Sequence, residues 1–487
     1  MTEKYEPTLK SIRKHEVPEW FHDAKLGIFI TWGLYSVPAY APTGKGENLD
    51  ILAKEGWTAY YAHNPYVSWY LNSLRISGSP TEQYHHQKYG PDFSYDDFVP
   101  IFNEEIKKWD PNEWGELFSK IGAKYVVLVT KHHDGFLPWP SKYPNPKKEN
   151  YIASRDIVGE LTKVVKERNI KMGLYYSGGL DWTYTLAPIR DAVGEFADTP
   201  NSKEYIELMN AHWRELIDTY QPSILWNDIC FPRDANLAEL IAYFYNKTPE
   251  GVVNDRWMQI SKLFKKFALT KLGRRIICWY VKRLFLKKAL APPNPPHCDF
   301  STPEYSSYSG IVEKKWEATR GIGSSFAYNE TEFPENHMSS DEMIRFFVDV
   351  VSKNGNLLLN LGPKVDGTIP EIQKKCVLGL GEWLETNGQA IFGTRPWIRA
   401  EGSTFGGIEV RFTQKSDSLF IFLLDSPKES SITFRSLILA NKSKIEWLGY
   451  KETSKWVQNG KDVIINVPEI LEGSPVYTLR VTPKPFE

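Results

Sequence analysis

At 487 residues, with 59 Lys and Arg against 60 Asp and Glu, the chain is long enough for a large barrel plus a smaller partner domain. Its balanced charge offers no overall field that would draw nucleic acid or a membrane to the molecule as a whole. Four scattered cysteines, Cys230, Cys278, Cys298 and Cys376, form neither C-x-x-C pairs nor a dense framework, which argues against zinc or disulfide architecture.

The N-terminus has no apolar leader core, and no apolar run reaches the length of a membrane-spanning helix, so no transmembrane segment and a cytoplasmic location are expected. The short amphipathic piece Glu19–Ala24 precedes a first strand, Leu26–Trp32, and a long irregular stretch, Gly33–Pro91, follows. Connections of that length usually carry function. Asp110 and Pro111 then open a helix in which Trp114, Leu117, Phe118 and Ile121 share one face, and Gly122 closes it.

Lys124–Thr130 is a β-branched run of the buried, parallel type. After it, helix Asp156–Asn169 leads to strand Lys171–Tyr176, helix Ser202–Tyr220 to strand Ile224–Trp226, helix Asn236–Asn246 to strand Gly251–Asn254, and helix Ser340–Lys353 to strand Asn356–Leu361. Alternation of this kind predicts parallel βαβ units. Helix Ile369–Glu385 should end the series, because the pattern then changes to short alternating strands such as Gly407–Thr413, Ser418–Leu424, Val463–Val467 and Val476–Val481, which predict a small all-β sandwich.

Polar or aromatic residues follow most of the parallel strands: His132 and His133, Tyr175 and Tyr176, Asn227 and Asp228, Asp255 and Arg256. An open doubly wound sheet concentrates such residues at one switch point, whereas a closed barrel displays them after many strands, so a barrel is favoured. Asp228, just beyond Ile224, Leu225 and Trp226, reads either as a cap or turn residue or as a carboxylate at the only concave face of a barrel. Adjacent histidines lack the spacing that aims two rings at one metal ion, and no phosphate-binding glycine motif occurs. Seventeen Trp and 26 Tyr suit both a bulky core and the apolar faces of sugars. If Asp228 is a nucleophile it needs a second carboxyl group, and Glu304, in the Pro-flanked aromatic loop Cys298–Tyr305, is a candidate.

The runs LGIFITWGLYSVPAY (Leu26–Tyr40), TKHHDGF (Thr130–Phe136), YYSGGLDW (Tyr175–Trp182), LWND (Leu225–Asp228), VNDRW (Val253–Trp257), TRGIGSSFAYN (Thr319–Asn329) and NGNLLLNLGPKVDGTIP (Asn354–Pro370) resemble the α-L-fucosidases of glycoside hydrolase family 29. The resemblance spans nearly the whole chain. It implies a (β/α)8-like TIM barrel at 1–390, with a basic insertion near 258–297, followed by a C-terminal all-β sandwich at 391–487. It also implies a retaining exo-α-L-fucosidase that acts on fucosylated oligosaccharides or glycoconjugates without a metal or organic cofactor, expected as a homo-oligomer. The family's nucleophile falls on Asp228, and the acid/base glutamate of its bacterial and archaeal type falls on Glu304. Sugar-contacting positions fall on Thr31, Trp32, Ser68, His132, His133, Tyr175, Trp226, Arg256 and Phe326.

Three departures stand out. Thr31 replaces a histidine usual in the family, and Ser68 replaces a common glutamate. Two such losses leave open a second reading, a fucose- or glycan-binding homologue with impaired turnover. The third departure is the insertion itself. From Lys262 to Lys288 it carries ten Lys and Arg and no acidic residue, interleaved with large apolar side chains. Such a segment can lie on a membrane, bind an acidic partner or pack between subunits, and an intersubunit or site-lining role is expected.

Overall fold

The computed structural model describes residues 4–43, 48–287, 294–451, 453–468 and 473–485. Residues 288–293 of the expected insertion lie outside the described residues. Seven parallel strands form one sheet: β1 (Leu26–Ile30), β2 (Tyr125–Lys131), β3 (Lys171–Tyr176), β4 (Ile224–Asn227), β5 (Val252–Val253), β6 (Trp316–Gly321) and β7 (Gly355–Leu361), in the order β5-β4-β3-β2-β1-β7-β6. The alternation of each strand sorts its side chains into two apolar layers. Phe29, Tyr125, Val127, Val129, Tyr175, Ile224, Trp226 and Leu358 pack together in the barrel interior. Their neighbours Ile28, Ile30, Val126, Leu128, Leu174, Leu225, Leu357 and Leu359 pack outward in a separate layer with the helices.

The eighth place in the barrel is taken by residues 299–305, which form no regular strand. Asp299 receives the Val253 amide on its Oδ2 at 2.7 Å and donates its own amide to the Val253 carbonyl at 2.9 Å. On the other side Ser301 bridges Trp316 and Glu304 bridges Thr319, both parallel to β6. The barrel therefore closes, through a segment whose Pro303 and polar residues hide it from pattern reading.

The Gly33–Pro91 stretch departs from the expected irregular loop: it contains helices Asn48–Glu55, Trp57–Ala62, Tyr70–Leu74 and Pro80–Tyr89. These run for only one to three turns and Pro80–Tyr89 has no apolar stripe, so periodicity could not find them. The segment expected as a basic insertion forms a helical hairpin, Lys262–Ala268 and Lys271–Leu286, with Ser261 and Thr270 capping the two helices.

After helix Glu371–Asn387 the chain enters antiparallel structure: a five-stranded sheet running from Arg395–Ser403 to Tyr477–Thr482, faced by a three-stranded one. A separate core that includes Trp397, Phe412, Ile421, Trp447 and Leu479 lies between the two sheets. The sandwich is held to the barrel through Arg411, whose Nε lies 2.7 Å from Asp349, and through the Trp383 indole, which donates to the Val476 carbonyl at 2.9 Å.

Candidate active site at the strand tips

Two residues beyond Trp226 the alternation of β4 brings Asp228 back to the inner face at the barrel mouth, while Asn227 between them points away and donates to the Cys230 and Arg256 carbonyls. The tip of β3 must pass very close to this turn. A Cβ on Gly178 would stand 2.3 Å from Asn227 Oδ1 and one on Gly179 would stand 2.3 Å from the Cys230 amide, so only glycine fits at both positions.

Asp228 is buried and surrounded by donors. The Tyr175 hydroxyl donates to its Oδ2 at 2.7 Å; the Ile229 amide and Arg256 Nη1 donate to its Oδ1 at 2.8 and 3.0 Å. Ile229 takes φ 65° to turn its amide back onto the carboxylate. A left-handed conformation at a β-branched residue costs roughly 1 to 3 kcal/mol and marks a site where the surroundings over-determine the backbone.

Glu304 sits at the tip of the closing segment, its side chain 32% exposed, and Arg256 Nη2 lies 2.6 Å from its Oε1. It too is followed by a left-handed residue, Tyr305 at φ 48°. One guanidinium therefore joins both carboxylates. Arg256 is locked by Thr302, which accepts from Nε at 3.0 Å through its hydroxyl and from Nη2 at 3.2 Å through its carbonyl, and it lies over the Trp226 ring at 4.7 Å. Burial opposes the charge on Arg256, but Glu304, Asp228 and Asp255 outweigh it and raise the pKa further. In this arrangement the donors of Arg256 go to protein oxygens.

His132 and His133 both reach the site. A register shift in β2 between Val129 and Lys131 turns Lys131 outward onto Asp181 at 3.1 Å. The His132 ring then lies parallel to Tyr175 at 5.9 Å, and His133 Nε2 stands 3.8 Å from Asp228 Oδ2. Burial holds both imidazoles well below their usual range, so they are neutral at physiological pH. Trp226 is fixed from below by Glu317, which accepts its indole N–H at 3.1 Å and the Tyr125 hydroxyl at 2.6 Å. Burial pushes Glu317 up to about 7, against the pull of those two donors. Phe326 joins Tyr66 and Tyr305, at 5.1 and 5.2 Å, in an aromatic wall on the Glu304 side.

Thr31, Trp32 and Ser68 are placed differently. The Thr31 hydroxyl donates to Asn360 Oδ1 at 2.6 Å, and the Asn360 amide donates to the Phe326 carbonyl, so Thr31 braces the loop that carries Phe326. Trp32 lies outside the mouth, among Phe102, Trp109 and Trp114, with its indole N–H on the Lys364 carbonyl at 2.8 Å. Ser68 is buried in the turn Val67–Trp69, next to Trp69, whose ring meets His133 edge-on at 5.3 Å.

Pattern reading missed Glu195, on the short helix Ala192–Ala197. It accepts the Tyr61 hydroxyl at 2.9 Å and is close enough to feel both site carboxylates. Burial, opposed by the Tyr61 hydrogen bond and reinforced by the charges of Asp228 and Glu304, pushes it up to about 7. The N-cap Asp191 was the available sign of this helix, but a two-turn helix has too little periodicity to be read.

The family model described as alpha-L-fucosidase matches residues 1–274 and 284–389, and its gap falls inside helix Lys271–Leu286. The alpha-L-fucosidase of Dictyostelium discoideum is 30% identical over 99% of this chain and 96% of its own length. The tissue alpha-L-fucosidase of Rattus norvegicus is 29% identical over 98% of this chain and 92% of its own. Among solved structures, the Thermotoga maritima alpha-fucosidase in complex with fucose superposes with a TM-score of 0.82 at 40% identity, covering 98% of this chain and 100% of that one.

Proposed function

The chain belongs to the alpha-L-fucosidase family of glycoside hydrolases, and from that premise we propose that it cleaves terminal α-L-fucosyl groups with retention, through a covalent fucosyl-enzyme on Asp228. The observation that carries this reading is the single guanidinium of Arg256 reaching both carboxylates, at 3.0 and 2.6 Å. A gap that one planar fork spans suits a retaining pair, roughly 5 to 5.5 Å apart, rather than an inverting pair held roughly 6.5 to 9.5 Å apart by an intervening water.

Asp228 attacks the anomeric carbon, and Glu304 delivers a proton to the departing oxygen. Water then enters from the vacated side, gives its proton to Glu304 and releases fucose from Asp228. The three donors on Asp228 aim one lone pair while stabilising the carboxylate that leaves in the second step. Neutral His132 and His133 suit contacts with sugar hydroxyls, because each imidazole offers one donor and one acceptor. The Phe326, Tyr66 and Tyr305 wall suits the apolar face and methyl group of a deoxy sugar. An intact carboxylate pair on one cation favours turnover over the binding-only reading.

Trapping with a 2-fluoro fucoside that carries a good leaving group tests this. Mass mapping should find the label on the peptide containing Asp228, and product analysis should show the α-anomer first. A label on another carboxylate, or β-fucose as first product, would overturn the assignment.

A further inference from the structure

The Lys262–Leu286 hairpin has two faces with different fates. Its inner face packs on its own chain: Ala268 is buried against Val193 and Ala197, Arg274 Nε pairs with Asp191 at 2.6 Å, and the Trp57 indole donates to the Cys278 carbonyl at 3.0 Å. Through these contacts the hairpin buttresses helix Ala192–Ala197, which carries Glu195, and helix Trp57–Ala62, which carries Tyr61. Tyr60 on that second helix meets Phe285 of the hairpin edge-on and feels the charge of Glu304, so the inner face supports the Glu304 side of the mouth.

The outer face is covered by nothing among the described residues. Nine of the twenty large apolar side chains exposed in the described residues lie between Leu263 and Leu286. On the longer helix Leu272, Ile276, Trp279 and Tyr280, with exposures of 65, 46, 61 and 55%, follow one another at helical spacing. Lys271, Arg275, Arg283 and Lys287 are exposed between and beside them. The hairpin sequence from Lys262 to Lys287 contains no acidic residue.

We propose that this face is a docking surface for an anionic lipid bilayer, on which the longer helix, about 24 Å by its rise per residue, lies parallel to the membrane. Apolar and aromatic side chains interleaved at every turn with Lys and Arg match an interfacial helix, whose rings sink to the headgroup level while the long basic stems reach up to phosphates. A second copy of the same face is a poor partner, because it would set cation against cation with no carboxylate between them. On the reading of Asp228 and Glu304 given above, docking sets the Glu304 side of the mouth beside the lipid, which suits fucosyl groups on membrane-anchored glycoconjugates.

Flotation of the full chain with phosphatidylserine-containing vesicles and with pure phosphatidylcholine vesicles tests the docking apart from any catalysis. Binding is expected to the anionic vesicles only, and to be released as salt rises from about 0.1 to about 0.5 M. Each basic residue near such a surface strengthens binding by roughly fivefold, so Arg275→Glu with Arg283→Glu should weaken flotation by more than about tenfold. Leu272→Ser with Trp279→Ser should abolish it, while sedimentation mass and nitrophenyl fucoside turnover stay unchanged in both variants. Failure to float, flotation that survives both variants, or a changed mass in either variant, which would make the face an interface between copies, each overturns the proposal. Turnover of a fucosyl lipid in anionic vesicles should fall in both variants; an unchanged rate there, with vesicle binding lost, removes the assignment of a membrane-borne substrate.

Discussion

Asp228 and Glu304 face each other across one guanidinium, yet the chain holds them in opposite ways. Asp228 leaves a regular strand, its side chain is 12% exposed, and three donors from three directions fix both oxygens. Glu304 leaves a segment joined to its neighbour through isolated bridges, its side chain is 32% exposed, and among the described residues its only ion pair is with Arg256. On the proposed assignment of nucleophile and acid/base, the difference follows from the chemistry. A nucleophile serves one geometry and gains from being locked, whereas an acid that must later act as base has to exchange partners, so Arg256 must yield Glu304 when a leaving group arrives.

The strongest way to break this comparison is on the locked side. Asp228→Gly should lower kcat by about three orders of magnitude with the fold intact by circular dichroism, and azide should restore part of the rate as β-fucosyl azide. A variant that hydrolyses at near wild-type rate without azide would show that the lock serves structure alone. On the looser side, Glu304→Ala should slow substrates with poor leaving groups by roughly 100-fold or more and nitrophenyl fucoside far less, since only the former need protonation. Equal losses on both would move the acid to another group, with Glu195 the first to examine.

A third, smaller effect separates bracing from contact. Thr31→Val deletes the hydroxyl that donates to Asn360 and so loosens the Phe326 loop. It should cost about 1 kcal/mol in stability and raise KM severalfold with little change in kcat. A kcat loss at constant KM would instead make Thr31 part of the reacting geometry.

The smallest effect concerns Glu195, which feels both carboxylates. Its carboxyl is raised from 4.5 to about 7 in the fold, so between those values the folded chain holds a proton that the unfolded chain has lost. Its contribution to stability therefore falls as pH rises from about 4.5 to about 7 and stays low above that. Glu195→Gln should raise Tm at pH 8 relative to pH 5 by roughly 1 to 2 °C compared with wild type. An unchanged difference between the two pH values would place Glu195 in a wetter setting than its contact with Tyr61 implies.

How much of this was legible in the sequence tracks regularity. Asp228, His132, His133 and Tyr175 stand directly after apolar runs that announce buried strands, so their position at the mouth could be read from neighbours in sequence. Glu304 could be suggested only weakly, because its segment pairs with Val253 and Trp316 through contacts distant in the chain and carries Pro303. Trp32 was misleading for a related reason: it follows a strand, but the chain turns there and its ring joins the outer layer with Trp109 and Trp114. That Arg256 bridges the two carboxylates was not legible, since it depends on three separate segments meeting.

The place where the hairpin enters the chain has its own consequence. It stands after β5, only two residues long, and before the closing segment 299–305, where the barrel wall is stitched by the fewest regular ladder bonds. Added chain there shifts no other strand, and its closure entropy grows by only about 0.6 kcal/mol for each doubling of length. The seam therefore behaves as a port: a different module grafted between Trp257 and His297 would meet the Glu304 side of the mouth from the same direction, and could redirect one hydrolase to another surface without redesigning its barrel.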